Sequence, residues 1–254
     1  MVTYLYHEVT DDPSSTGFQG SGALPYKHGV AEFAQNLDAI AKSGLTPVLA
    51  PEVDLASERT QLVMTFDDGG KSAMHISREL DRLGWKGHFF VTTDQIDSPR
   101  FVSRDDIRSI HDRGHIVGAH SHTHPVPFYS QTRQRLLSEW RTSTEILSSI
   151  IGQPVVTASV PGGDLDDVVQ ETAAEAGIRY LFTSEPTFTP WESGGVINFG
   201  RVYPLVGTPV RRVAQYTELK GFRRDMTKRQ VKRIGRKALG PLYSVIISRL
   251  FTRG

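Results

Sequence analysis

The sequence contains no cysteine. A disulfide framework and a thiolate metal site are both excluded, so any bound cation must be held by His, Asp or Glu. It also has no apolar run long enough to cross a bilayer. It opens as Met1-Val2-Thr3-Tyr4-Leu5-Tyr6, without the basic head and long apolar stretch of a secretory leader, which sets the expectation of a cytoplasmic protein. None of the nine histidines lies beyond His124. An excess of one charge is missing too, the net being +1. That balance conceals an asymmetry. Of 29 Lys and Arg, 11 fall in 220–254, against one of the 28 Asp and Glu. The body, 1–219, thus carries about −9 and the tail about +10. The tail lacks interleaved aromatics and any recognisable nucleic-acid module, so nucleic acid is not an expected partner.

What is present is alternation. Apolar runs and amphipathic stretches succeed one another for most of the 254 residues, the pattern of repeated β–α units. Strands are predicted at Thr3–His7, Thr46–Leu49, Leu62–Phe66, Gly87–Val91, Ile116–Ala119, Val155–Ser159, Tyr180–Thr183 and Val196–Tyr203. Helices are predicted at Val30–Lys42, Ser72–Leu83, Arg104–Asp112, Gln131–Ile151, Leu165–Ala176 and Val210–Leu219. Ser103 and Asp106 approximate a capping box, and Gly114, Gly152 and Gly177 stand where helices end. In the Gln131–Ile151 helix, Leu136, Trp140, Leu147 and Ile150 share one face, which is expected to meet the sheet. Asp11–Tyr26 and Glu185–Gly195, rich in Gly, Ser and Pro, read as loops. The fold class is α/β, with one domain over 1–219 and a basic amphipathic tail over 220–254.

The chemistry concentrates in two short segments. Thr65-Phe66-Asp67-Asp68-Gly69 ends an apolar strand with two adjacent carboxylates, and His120-Ser121-His122-Thr123-His124-Pro125 follows another strand with histidines four apart. In a parallel sheet both segments reach the same edge, where ligands bind. One carboxylate and two imidazoles can hold a cation, and the spare carboxylate can take a proton from water. Asp68 suits the first role and Asp67 the second; a solvated strand-end turn is the alternative for the pair. His122 lies between the two outer histidines and is expected to face away from them.

These residues resemble the polysaccharide deacetylase family (the NodB-homology domain, carbohydrate esterase family 4). Thr65–Gly69 matches its TFDDG motif and His120–His124 its H-[ST]-x-x-H motif. Gly87–Thr92 looks like its ATFFV strand, Phe101–Gly114 like the helix before the histidines, and Tyr6-His7 like its opening YH. The resemblance covers roughly 1–203. It implies a distorted (β/α) barrel and metal-dependent removal of N-acetyl groups from an amino-sugar glycan or glycolipid. It also implies Asp67 as general base and Asp68, His120 and His124 as ligands of one divalent ion, zinc or else cobalt, nickel or manganese. Pro161 and Gly162 fall in its third motif, with the Gly162 amide as an oxyanion donor.

The sequence departs from that pattern at three places. Ser159 replaces an arginine that orients the base, and Arg201 is the candidate substitute. Gly162 replaces an aromatic wall, and Trp191 is a candidate for lining the sugar site. The late Leu-x-His motif that supplies the general acid has no counterpart, and His7 is the candidate replacement because barrel closure brings the first strand beside the last. These departures leave open a deformylase or amidase on another acylated substrate, or a non-catalytic glycan-binding relative. The tail pairs cations at steps of four or five with an apolar segment near Leu242–Ile247. It therefore suits peripheral contact with the inner membrane face, with packing on the acidic body as the alternative.

Overall fold

The computed structural model of the chain describes residues 1–220; the basic tail, with its expected membrane contact, lies outside the described residues. The elements in order are β1 (Val2–Tyr6), β2 (Glu8–Val9), β3 (Lys27–His28), α1 (Val30–Ala41), β4 (Leu62–Phe66), α2 (Ala73–Arg82), β5 (His88–Val91) and α3 (Arg104–Asp112). There follow β6 (Ile116–Ala119), α4 (Arg133–Ile151), β7 (Thr157–Ser159), α5 (Asp167–Glu175), β8 (Tyr180–Phe182), β9 (Trp191–Ser193), β10 (Val196–Phe199) and α6 (Val210–Thr217). Among the described residues no helix is long and apolar enough to cross a membrane.

Eight strands form one sheet in the order β1-β4-β5-β6-β7-β8-β10-β9, parallel throughout except for the β9–β10 hairpin. The sheet curls until Val202, just past β10, bridges Tyr4 of β1; the Val202 amide donates to Thr3 O and its carbonyl accepts from Leu5 N, both at 2.9 Å. One bridge thus closes a distorted (β/α) barrel.

Side-chain alternation sorts each strand between two cores. On β4, Leu62, Met64 and Phe66 join the outer layer under the helices, whereas Val63 joins an inner cluster with Phe90, Phe182 and Phe199. Each such fully buried large side chain contributes about 1.5–3 kcal/mol. Extending that parity past the strand ends decides the site. Asp67 follows Val63 and Thr65, Arg201 follows Ile197 and Phe199, His7 follows Thr3 and Leu5, and His120 follows Gly118. All four reach the inner side at the mouth of the barrel.

Three expectations need correction. Thr46–Leu49 is not a strand. Pro47 has no N–H to give a ladder, so pairing stops at one bridge to Leu62 and a 3₁₀ turn begins at Ala50. The strand expected over Val196–Tyr203 ends at Phe199, because Arg201 turns its amide to Glu185 O. Glu185–Gly195 contains β9 rather than being all loop. Gly194 and Gly195, at φ 61° and 82°, form the turn between β9 and β10, the backbone signature of a tight hairpin.

Candidate active site

The mouth of the barrel holds a cavity of about 540 Å³ whose wall includes His7, Asp67, Asp68, His120, His124 and Gly162. Asp67 and Asp68 leave β4 in different directions because the strand breaks between them. Asp67 still pairs its amide with Tyr6 O at 3.0 Å, whereas Asp68 and Gly69 adopt φ of 76° and 75°. A left-handed aspartate costs about 1–3 kcal/mol. The turn delivers the Asp68 carboxylate toward the segment after β6.

There, Asp68 Oδ1 lies 3.3 Å from His120 Nε2 and 3.8 Å from His124 Nε2. One donor atom from each of the three residues falls within 4.8 Å of the other two. Tetrahedral coordination at about 2.0–2.1 Å sets neighbouring donor atoms roughly 3.3 Å apart, so these side chains fit a divalent cation with little movement. The His120 ring is oriented from behind. Its Nδ1 is 3.1 Å from Ser159 O and 2.6 Å from Ser159 Oγ. A proton on Nδ1 donated to the Ser159 carbonyl leaves the Nε2 lone pair facing Asp68. His124 packs against Phe18, ring centroids 5.0 Å apart. His122 turns away, its Nδ1 2.9 Å from Thr93 Oγ1.

Arg201 is 1% exposed and sits directly behind Asp67. Its two terminal nitrogens donate to Asp67 Oδ1 and Oδ2 at 2.7 and 2.9 Å, its Nε donates to Thr183 O at 2.9 Å, and Thr65 Oγ1 accepts at 3.3 Å. The bidentate pair holds the carboxylate plane fixed. Arg201 is not part of the cavity wall; it meets Asp67, the residue that the missing arginine would orient. Trp191 belongs to β9, the outermost strand, and does not line the cavity. Pro161 and Gly162 do, on the turn after β7. A Cβ on Gly162 would meet nothing within 4 Å, so the missing aromatic leaves open space.

The electrostatics follow the geometry. Burial works to raise the Asp67 carboxyl, but Arg201, aided by His120 and His7, holds it below its ordinary value. Burial opposes ionisation of Asp68 in the same way, and the His120 contact with the neighbouring imidazoles brings it well below. Burial, then His120, pushes His124 down to about 4, so this ring is neutral and free to ligate. His7 is lowered by burial, with Asp68 and Asp67 pulling the other way. Its ring lies 4.5 Å from Tyr26, and its buried Nδ1 has no hydrogen-bond partner among the described residues.

Two carboxylates here escape the sequence motifs. Glu8 lines the cavity at 2% exposure, and Glu139 of α4, also 2% exposed, grips the histidine loop. The only signal for Glu139 is its position among Leu136, Trp140 and Ser143 on the buried face of a helix.

The family profile described as "Polysaccharide deacetylase" matches residues 55–181. No curated protein sequence matches. A polysaccharide deacetylase from Bacillus cereus is similar in structure, with a TM-score of 0.72, 23% identity, and cover of 85% of this chain and 68% of that one. IcaB from Ammonifex degensii is similar at TM-score 0.69 and 22% identity, covering 85% of this chain and 96% of that one. The deacetylase PplD of Streptococcus pyogenes gives 0.68 and 17%, again with 85% and 96% covered. At such identities these likenesses establish the barrel fold. The profile match spans half the sequence, from before the paired aspartates to β8, and on that ground the chain belongs to the polysaccharide deacetylase family.

Proposed function

We propose that the chain is a metal-dependent hydrolase that removes N-acetyl groups from an amino-sugar glycan or glycolipid. The observation that carries the reading is the pairing of a buried, arginine-clamped Asp67 with the Asp68–His120–His124 cluster in one cavity. A divalent cation held by the cluster, zinc or else cobalt, nickel or manganese, supplies a Lewis acid that polarises the acetyl carbonyl and acidifies water. Asp67 is ionised over the working range and accepts the proton of the water that attacks the acetyl carbon. Arg201 stops the carboxylate from rotating, because both oxygens are already engaged. Gly162 lines the cavity where its amide can serve the developing oxyanion. When the C–N bond breaks, the proton that Asp67 took from water passes to the amine, with the neutral His7 ring as the group that relays it, and the amine leaves with the sugar; acetate is the other product. A membrane-apposed position through the basic tail, on the cytoplasmic side, fits a glycolipid substrate.

Acetate release tests the reading. Purified protein supplied with zinc or cobalt is expected to release acetate from N-acetylated amino-sugar oligosaccharides, with N-formyl sugars and linear acetamides run alongside. Asp67→Asn is expected to lower kcat/KM by about 10²–10⁴-fold, the usual contribution of a positioned base. Turnover of the formyl or linear substrates in place of the acetyl sugars would redirect the assignment. A variant as active as wild type would remove Asp67 from the mechanism.

A further inference from the structure

The two histidines of the metal cluster are joined by a backbone that should not hold its own shape. Ser121 and His124 both have positive φ, 60° and 53°. Such residues cost about 1–3 kcal/mol each and persist only where their surroundings fix them. Part of the fixing is local, since Ser121 Oγ accepts from the His124 amide at 3.0 Å. The Thr93 and Asp94 amides add to it, donating to Ser121 O and His122 O at 3.3 and 2.9 Å. The side-chain clamp is Glu139, one residue before Trp140 on the buried face of α4. Its Oε2 accepts the successive amides of His122 and Thr123 at 2.9 and 2.7 Å, and its Oε1 accepts the Thr123 hydroxyl at 2.7 Å. Arg135, one helical turn earlier, lies 2.8 Å from Oε1 and donates to Thr123 Oγ1 at 3.0 Å. Two adjacent amides converging on one anion can occur only in a backbone curled as this one is. At 2% exposure, water does not compete for the carboxylate.

We propose that Glu139 is a positioning residue of the metal centre: its carboxylate clamps the His120–His124 loop in the curled form that brings both imidazoles to Asp68, without touching the ion or the substrate. This rests on the metal-centre reading above. It assigns α4 a second task besides packing, and it gives a carboxylate a reason to stand on an otherwise apolar and small face.

The test is metal binding by apo-protein, read without turnover. Wild type, Glu139→Gln, Thr123→Val and Asp81→Asn are stripped with chelator and titrated with Zn²⁺ in a calorimeter and with Co²⁺ by visible absorption. Asp81 pairs with Lys86, Arg113 and His115 and does not line the cavity, so its variant reports a loss of stability alone. In either orientation Glu139→Gln puts an amide N–H₂ against a donor, the two loop amides or the Arg135 guanidinium, and it removes the anion. It is expected to weaken both ions about tenfold or more and to alter the Co²⁺ spectrum. Thr123→Val is expected to weaken them by a smaller factor, and Asp81→Asn to leave affinity unchanged at a lower Tm. Should Glu139→Gln not fold, Thr123→Val alone decides. Wild-type affinity and spectrum in the folded variants would overturn the role of Glu139. Absence of binding by wild type would overturn the metal-centre reading instead.

Discussion

Glu8 is the residue whose chemistry depends most on its surroundings. Its Oε2 accepts the hydroxyls of Thr16 and Ser72, both at 2.5 Å, while its buried Oε1 has no partner among the described residues. Burial pushes the carboxyl up to about 7, against the pull of those two hydroxyls. The sign of the consequence is fixed. Unfolded, Glu8 loses its proton near its ordinary value of 4.5; folded, it keeps the proton to about 7. Between those values the folded state binds the extra proton, so stability falls as pH rises through the window. The loss is complete above it, at roughly 3 kcal/mol. Glu8→Gln abolishes this linkage. The variant is expected to melt above wild type at pH 8, with the gap closing toward pH 4.5, in thermal unfolding across the range. Parallel pH profiles would contradict the expectation. Neither Glu8 nor Glu139 was legible in the sequence, where a buried acid looks like an exposed one; their partners lie 64 and 17 positions away. Asp68, His120 and His124 were legible as a candidate cluster because each motif is contiguous. Arg201 was legible as a candidate for the missing base-orienting cation, but its contact was not. Its contact with Asp67 spans 134 positions and needs both the parity of β10 and the closure of the barrel.

At the scale of elements, the paired carboxylates sit between two segments that Glu8 ties together. Lys27 donates to Pro13 O and Thr16 O at 2.6 and 2.7 Å, and the Ser72 amide donates to Thr16 Oγ1 at 2.9 Å. The Asp11–Tyr26 segment, expected as a loop, is thereby fastened to the start of α2, and its Phe18 and Tyr26 line the cavity. Gly70 makes the fastening possible, since a Cβ there would lie 1.9 Å from Glu8 Oε1. Gly70→Ala is expected to cost about 1–3 kcal/mol by overpacking and to raise KM as Phe18 shifts. Glu8→Ala in the same chain removes the clashing carboxylate. The double variant should therefore be more stable than the two single losses add up to, by about 0.5–3 kcal/mol. Urea unfolding of the four proteins measures the coupling, and simple additivity would show that Gly70 and Glu8 act independently. Alternation and helical periodicity made β4, β5, β6 and α1–α5 readable. They failed at β9, where Pro186 and Pro190 masked a Gly-Gly hairpin turn that was itself a usable signal. They failed also at Thr46–Leu49, where an apolar run stood in for hydrogen bonds that Pro47 cannot make.

At the scale of the whole molecule, the site exists only when the barrel is closed. Asp68 comes from the end of β4, His120 and His124 from the end of β6, His7 from β1, and Arg201 from the segment that bridges back to β1 through Val202. No local stretch contains a complete ligand set, so the unfolded chain cannot match the folded affinity for a cation. Mass action then ties metal binding to global stability: a ligand at 100 times its Kd adds about 2.7 kcal/mol, and at 1,000 times about 4.1 kcal/mol. Saturating zinc is expected to raise Tm by several degrees over chelator-treated protein, and excess chelator to reverse the shift. Asp68→Asn should remove most of the increment. Asp67→Asn should keep most of it, because Asp67 supplies none of the three clustered donor atoms, even though activity falls. A zinc increment that survives Asp68→Asn would place the stabilising ion elsewhere, and one abolished by Asp67→Asn would make Asp67 a ligand.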